Sequence, residues 1–298
     1  MKILKKDRFI TSFSAAHPPA YTVDIGETFI VETTDCYGDA ITNENQLRKE
    51  INIDYINPAT GPIYINDVKK GDTICVEINH ITLADFGVMV LYPGMGILGN
   101  EVKTIDTRIL PLKNGHLFLN EDVQFPVKPM IGVIGTAPET GDVLCETPGD
   151  HGGNMDTKYI TAGNKVFLPV FHDGALLALG DLHAAMGDGE LNGSGVEIGG
   201  KVTLKISRLE QEIISIPIVE TIDSYKLIAS AETVAKACKK GVKIAVYLLQ
   251  KKRSLSYNDA YRLLSATCDL QISQIVNPAV TVRISIPKEI LIEPLFPY

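Results

Sequence analysis

Basic residues are in deficit, cysteine is scarce, and long apolar runs are missing. The 298-residue chain has 28 Lys+Arg against 36 Asp+Glu, a formal charge of −8. An acidic balance of this size excludes a protein whose affinity rests on basic patches, so no nucleic-acid partner is expected. The five cysteines, Cys36, Cys75, Cys145, Cys238 and Cys268, are odd in number and scattered, with no Cys-x-x-Cys pair. That pattern excludes a disulfide framework and a zinc knuckle, and predicts thiols that are reduced and mostly buried. No apolar run approaches the ~20 residues that cross a bilayer, and the opening MKILKKDRF lacks a signal-peptide core, so no membrane contact and a cytoplasmic location are expected.

What is present is material for a core: 45% of residues are apolar and 21% charged, proportions of a folded globular chain. Residues 1–220 carry short stretches of period-two alternation after glycine turns, such as Thr28-Phe29-Ile30-Val31-Glu32 and Lys201-Val202-Thr203-Leu204-Lys205-Ile206. These predict strands with one buried face. One turn-and-strand pattern occurs twice over ten positions, at Val23–Glu32 and Val68–Glu77, and loosely at Gly163 and Gly199. The irregular spacing argues against a solenoid or propeller and for a β-sandwich or barrel.

The texture changes near residue 228. Ala231–Cys238 has helical periodicity that Gly241 ends or interrupts, with resumption at Tyr247-Leu248-Leu249. Ser256-x-x-Asp259 resembles a capping box opening a second helix, and Val280–Ile286 reads as a returning strand. The expectation is a mainly β fold, sandwich- or barrel-like, over residues 1–220, with a smaller α+β unit over 221–298.

Several motifs fail on context. Gly94-Met95-Gly96-Ile97-Leu98-Gly99 matches a dinucleotide fingerprint in its letters, but residues favouring extended chain follow it, where a helix is required. Gly195-x-x-x-x-Gly200-Lys201 nearly matches a phosphate loop, yet Val202 stands where a hydroxyl is needed. Ser194 has glycines directly on both sides and forms no nucleophile elbow.

Chemistry concentrates in residues 141–200, which hold 13 of the 25 glycines, three of the six histidines and nine acids. Pro148–Asp156 and Gly180–Glu190 each join a histidine to carboxylates within a few residues. On an extended strand Asp181 and His183 point the same way. Imidazole with carboxylate suits zinc, while an all-oxygen set suits calcium; ordinary turn chemistry accounts for Asp and Gly in loops as well.

Six ordered segments resemble the acetamidase/formamidase family. They are Glu32-Thr33-Thr34-Asp35-Cys36, Asn57–Tyr64, Asp85-Phe86-Gly87 with Pro93–Gly96, Gly132–Pro138, His151-Gly152-Gly153-Asn154-Met155-Asp156, and Gly180–Glu190. The resemblance implies a β-rich, oligomeric, divalent-metal hydrolase releasing ammonia from short amides such as formamide and acetamide, or opening small cyclic imides or lactams. The chain departs from longer members in being short and lacking tryptophan.

With that implication, His183 and Asp35 are the first metal-ligand candidates, His151, Asp156 and Asp181 complete or support the set, and zinc is favoured with calcium as the alternative. Glu190 is the candidate to take a proton from water and pass it to the leaving nitrogen. A competing reading makes Cys36 a thiolate nucleophile, although the adjacent Asp35 raises a thiol pKa. A third makes the chain a non-catalytic metal- or ligand-binding module. A twofold homodimer is expected because such dimers are the commonest oligomers.

Overall fold

A computed structural model describes residues 1–210 and 214–296. The fold is mainly β with two helices near the C-terminus, as the alternation predicts. The first sheet has nine strands in the order Lys2–Leu4, Thr28–Thr33, Gly200–Leu209, Thr73–Leu83, Lys165–Pro169, Ile218–Glu220, Ser224–Ala231, Val280–Pro287 and Asp269–Gln274. All neighbours are antiparallel except the first pair. The two copies of the repeated turn-and-strand pattern flank one shared partner, Gly200–Leu209. Each copy enters its strand through a glycine with positive φ, Gly26 at 83° and Gly71 at 93°, a conformation that costs other residues a steric penalty.

The second sheet is organised around Leu177–His183, whose seven residues are all buried. This strand pairs with Met130–Gly135 along its length, with Ala59–Ile65 toward its start and with Glu197–Ile198 at its end. Gly152–Asn154 closes the far side against Met130–Gly135. Phe29, Val31, Val76 and Leu204 of the first sheet share one apolar core with Ile63, Ile131, Leu179 and Leu182 of the second, so the sheets form a sandwich. The first sheet continues without a break from strands before residue 220 into those after it.

Two helices, α1 (Val234–Arg253) and α2 (Tyr257–Thr267), cover the outer face of that continuation through Ala237, Ala245, Leu249 and Leu264. Gly241 does not end α1. A Cβ at this position would lie 2.9 Å from Ile284 and 3.2 Å from Ala229, so the glycine lets the helix approach the sheet closely. Ser256 is the N-cap of α2: its Oγ accepts from the Asp259 N–H at 3.2 Å and donates to Asp259 Oδ2 at 2.7 Å, without the reciprocal backbone bond of a full capping box among the described hydrogen bonds. Gly94–Gly99 forms tight turns followed by the strand Asp106–Lys113, and Lys201 lies in a strand. All five thiols are free, three of them buried. Among the described residues no helix is long and apolar enough to cross a membrane.

Candidate active site and metal centre

The site forms where Leu177–His183 ends. Strand register places His183 opposite both Met130 and Glu197, and cross-strand neighbours lie within side-chain reach. His183 Nε2 is 3.2 Å from Glu197 Oε2, 3.6 Å from Asp181 Oδ1 and 3.9 Å from Asp156 Oδ1. Glu190 joins from the following loop, within 4.8 Å of the Asp156 and His183 ligand atoms. All five side chains are buried, Glu190 being the most exposed at 6%.

Three carboxylates thus converge on one ring nitrogen. A single N–H serves at most one of them well. Among the described residues, Asp181 Oδ1, Glu197 Oε2 and the other ring nitrogen, His183 Nδ1, make no hydrogen bond of good geometry. Buried charges without partners are costly, and a cation bound among them supplies the missing partner. Asp156, His183 and Glu190 form one cation-capable set, and Cys36, Asp181 and Glu197 form an adjoining one. These donors fit a divalent ion.

The electrostatics agree. Burial, with repulsion from neighbouring carboxylates, pushes Asp156, Glu190 and Glu197 above the ordinary carboxylate range, while His183 pulls the other way. Burial disfavours the His183 imidazolium, but Glu197 and Asp181 outweigh it and raise the pKa well above its ordinary value. Burial and the charges of Glu197, Asp181 and Asp35 push the Cys36 thiol well up, which opposes a thiolate nucleophile.

An amide lattice fixes the carboxylates from behind. Asn57 Nδ2 donates to Asp181 Oδ2 at 2.9 Å, and Asn277 Nδ2 donates to Asp156 Oδ2 at 2.7 Å. Asn154, oriented to satisfy its own bonds, donates to both carboxylates at 3.0–3.2 Å and accepts from both asparagines. Asn57, Asp156, Asp181 and Glu190 all have φ between 40° and 55°. Such strain concentrates where surrounding structure over-determines a site. Two glycines make room: a Cβ at Gly132 would lie 2.6 Å from Asp156 Oδ1, and one at Gly195 would lie 2.4 Å from His183 Nδ1.

Of the sequence candidates, the structure brings Asp156, Asp181, His183 and Glu190 together. Asp35 is buried, and its Oδ1 accepts from the Tyr37 and Asp39 N–H groups at 2.9 and 2.7 Å. It shapes the turn carrying Cys36 and belongs to neither cation-capable set. The His151 ring stands edge-on to Phe13 at 5.1 Å, and burial lowers its pKa to about 4. It too lies outside both sets. The sequence reading gave no role to Glu197, Asn57, Asn154 or Asn277, although Asn57 and Asn154 stand in segments that carry the family resemblance. Glu197 lies in the same acid- and glycine-rich segment, so composition pointed to it; Asn277 carried no signal beyond preceding Pro278.

A cleft of about 460 Å³ opens over Asp181, Glu190 and Glu197, with Asn57, Asn154 and Cys36 in its wall. The loop between Thr33 and Ala59, Tyr92 and Met95, and Val276–Pro278 line it as well.

The sequence profile of the acetamidase/formamidase family matches residues 11–145 and 143–293. The acetamidase of Bacillus halodurans superposes with a TM-score of 0.95 at 42% identity, covering 97% of this chain and 98% of that one. A predicted acetamidase/formamidase of the thermophile Thermoanaerobacter tengcongensis gives a TM-score of 0.95 at 44% identity, with 97% and 96% covered. A Schizosaccharomyces pombe protein carrying a formamidase name is 26% identical over 259 residues, 66% of this chain and 63% of its own length. The chain thus spans less than two thirds of that relative, and its matches to a Mycolicibacterium smegmatis acetamidase and a Methylophilus methylotrophus formamidase span 16% of each. With the profile matched along nearly the whole chain and the fold shared end to end, this protein belongs to the acetamidase/formamidase family.

Proposed function

We propose that the protein hydrolyses the C–N bond of short amides, formamide and acetamide among them, with water, giving a carboxylate and ammonium (ammonia and a proton). The family supports the reaction class. The observation that carries a cation-assisted mechanism is the convergence of three carboxylates on His183 Nε2, with Asp181 Oδ1 and Glu197 Oε2 lacking donors. His183, Asp156 and Asp181 would hold the ion, and Glu197 would complete the set. Zinc is favoured by the imidazole, calcium being the alternative for the carboxylate surplus. A bound zinc-like ion lowers the pKa of water from 15.7 to about 7 and polarises a carbonyl.

The side chains do the rest. Glu190 is held in the site by its loop: the Gly189 N–H donates to Ser273 O at 2.8 Å, and the Ile275 N–H donates to Gly189 O at 3.3 Å. Its elevated pKa suits a group that takes a proton from water and returns it to the departing nitrogen. Asn57, Asn154 and Asn277 hold Asp181 and Asp156 in place, so their carboxylates need not reorganise during turnover. The C-terminal unit therefore contributes to the site itself, through Ser273, Ile275 and Asn277. Five free thiols support a reducing, cytoplasmic setting, and a twofold homodimer is the assembly we assign.

The test combines elemental analysis of protein purified without added metal with ammonia release from formamide and acetamide before and after chelation. We expect stoichiometric divalent metal, loss of turnover on its removal and recovery on its return. Full turnover by protein verified as metal-free would refute the cation-assisted mechanism.

A further inference from the structure

We propose that the cleft selects amides carrying a carboxylate at the end remote from the scissile C–N bond, and that Arg48 binds that carboxylate. The proposal rests on the hydrolase reading and adds the substrate class. Three observations support it.

The first is size. At about 460 Å³ the cleft falls in the range of sites for molecules larger than formamide and acetamide, which have only three and four heavy atoms. The second is polarity. The inner end carries Asp181, Glu190 and Glu197, whereas Arg48 and Lys49 line the cleft from the loop between Thr33 and Ala59. Arg48 and Lys49 supply the cationic side chains of the cleft, so a molecule whose amide lies at the inner end is oriented by a carboxylate at its other end. The third is the state of Arg48. Its half-buried guanidinium lies 5.9 Å from the centroid of the buried Tyr37 ring, and one N–H group donates to Tyr55 O at 3.2 Å. Glu146 shares the cleft wall, yet no described carboxylate lies within 4 Å of the Arg48 nitrogens. A guanidinium presents five donors in a planar fork matched to a carboxylate. Four of them remain for a ligand, and the Tyr37 ring and Tyr55 carbonyl hold the group ready.

The reaction balances as half-amide plus water giving dicarboxylate plus ammonium. The C–N bond breaks, a C–O bond forms from water oxygen, and the water protons leave with the nitrogen.

The experiment compares kcat/KM for succinamate and for butyramide, a neutral amide of equal chain length, in the metal-loaded wild type, Arg48→Gln and Arg48→Lys. Succinate binding is measured by calorimetry on the same proteins, and thermal melts verify folding. Wild type should prefer succinamate, and Arg48→Gln should lower that preference about 10- to 100-fold, the worth of a charge-assisted pair. Arg48→Lys should restore it only in part, because an ammonium cannot engage both oxygens in the same plane. A wild-type preference for butyramide, or a preference unchanged in folded Arg48→Gln, overturns the proposal while leaving the hydrolase reading intact. If no amide is turned over, that reading fails, and calorimetry decides this one: succinate binding lost in Arg48→Gln supports it, and no binding by wild type overturns it.

Discussion

Asp188→Asn tests how Arg283 clamps the loop that carries Glu190. Arg283, on the strand Val280–Pro287, is 0% exposed and donates to Asp188 Oδ2 at 2.5 Å, to Gln271 Oε1 at 3.0 Å and to Ser273 Oγ at 3.3 Å. Ser273 Oγ also accepts from Thr157 Oγ1 at 2.8 Å, beside Asp156. One guanidinium therefore ties together the two segments that present Asp156 and Glu190. Removing a partner from a fully buried ion pair costs about 3–5 kcal/mol. Asp188 is 35% exposed and neutral acceptors remain for Arg283, so about 2–3 kcal/mol is expected, or about 3–5 °C in Tm for a chain of this length.

The control is Lys158→Gln, which removes the other partner of Asp188 at an exposed pair, 39% and 35% accessible; its cost should stay below about 1 kcal/mol. The pH dependence has a definite sign. Burial acts to raise the Asp188 pKa, but Arg283 and Lys158 outweigh it and hold the group below the usual carboxylate value. A depressed folded pKa gives stability that is present above the unfolded pKa of about 3.9 and is lost as pH falls through the folded value. The deficit of Asp188→Asn should thus be full at pH 7, begin to shrink as pH falls below about 3.9, and vanish only below the folded value. Denaturant unfolding of both variants in a pH series from 7 downward through that range measures it. A variant within about 0.5 kcal/mol of wild type at pH 7 refutes the clamp.

Two further outcomes follow from the site. Glu190→Gln keeps shape but removes the proton carrier, so kcat per bound metal should fall about 10²- to 10⁴-fold; steady-state kinetics normalised to metal content by elemental analysis checks this, and full activity would remove Glu190 from proton transfer. Gly195→Ala places a methyl 2.4 Å from His183 Nδ1 and must displace the ring. Overpacking of this kind costs about 1–3 kcal/mol, and both metal content and kcat/KM should drop at least about tenfold, since the ring can no longer meet Asp181 and Glu197 as it does now.

Local patterns determined much of this protein. Alternation after glycine turns marked the sheet strands because a pleated backbone sends successive side chains to opposite faces. The Ser256 cap was readable for the same local reason. Composition singled out residues 141–200, where Asp156, Asp181, His183, Glu190 and Glu197 all lie. Gly241 was ambiguous from the chain alone, since helix propensity disfavours glycine and only Ile284 and Ala229 show why none larger fits.

Tertiary structure decided which of the site candidates meet. His151 and Asp156 are five residues apart, but Gly152 and Gly153 between them have φ of 104° and 79°, which breaks the alternation that would relate their directions. Asp181 likewise bends out of regular strand at φ 55° and still brings its oxygen to His183. The partners that orient the carboxylates lie far away in the chain, Asn57 by 124 residues from Asp181 and Asn277 by 121 from Asp156. Periodicity constrains neighbours within one element. Convergence across elements depends on strand register and sheet packing, which are properties of the folded chain.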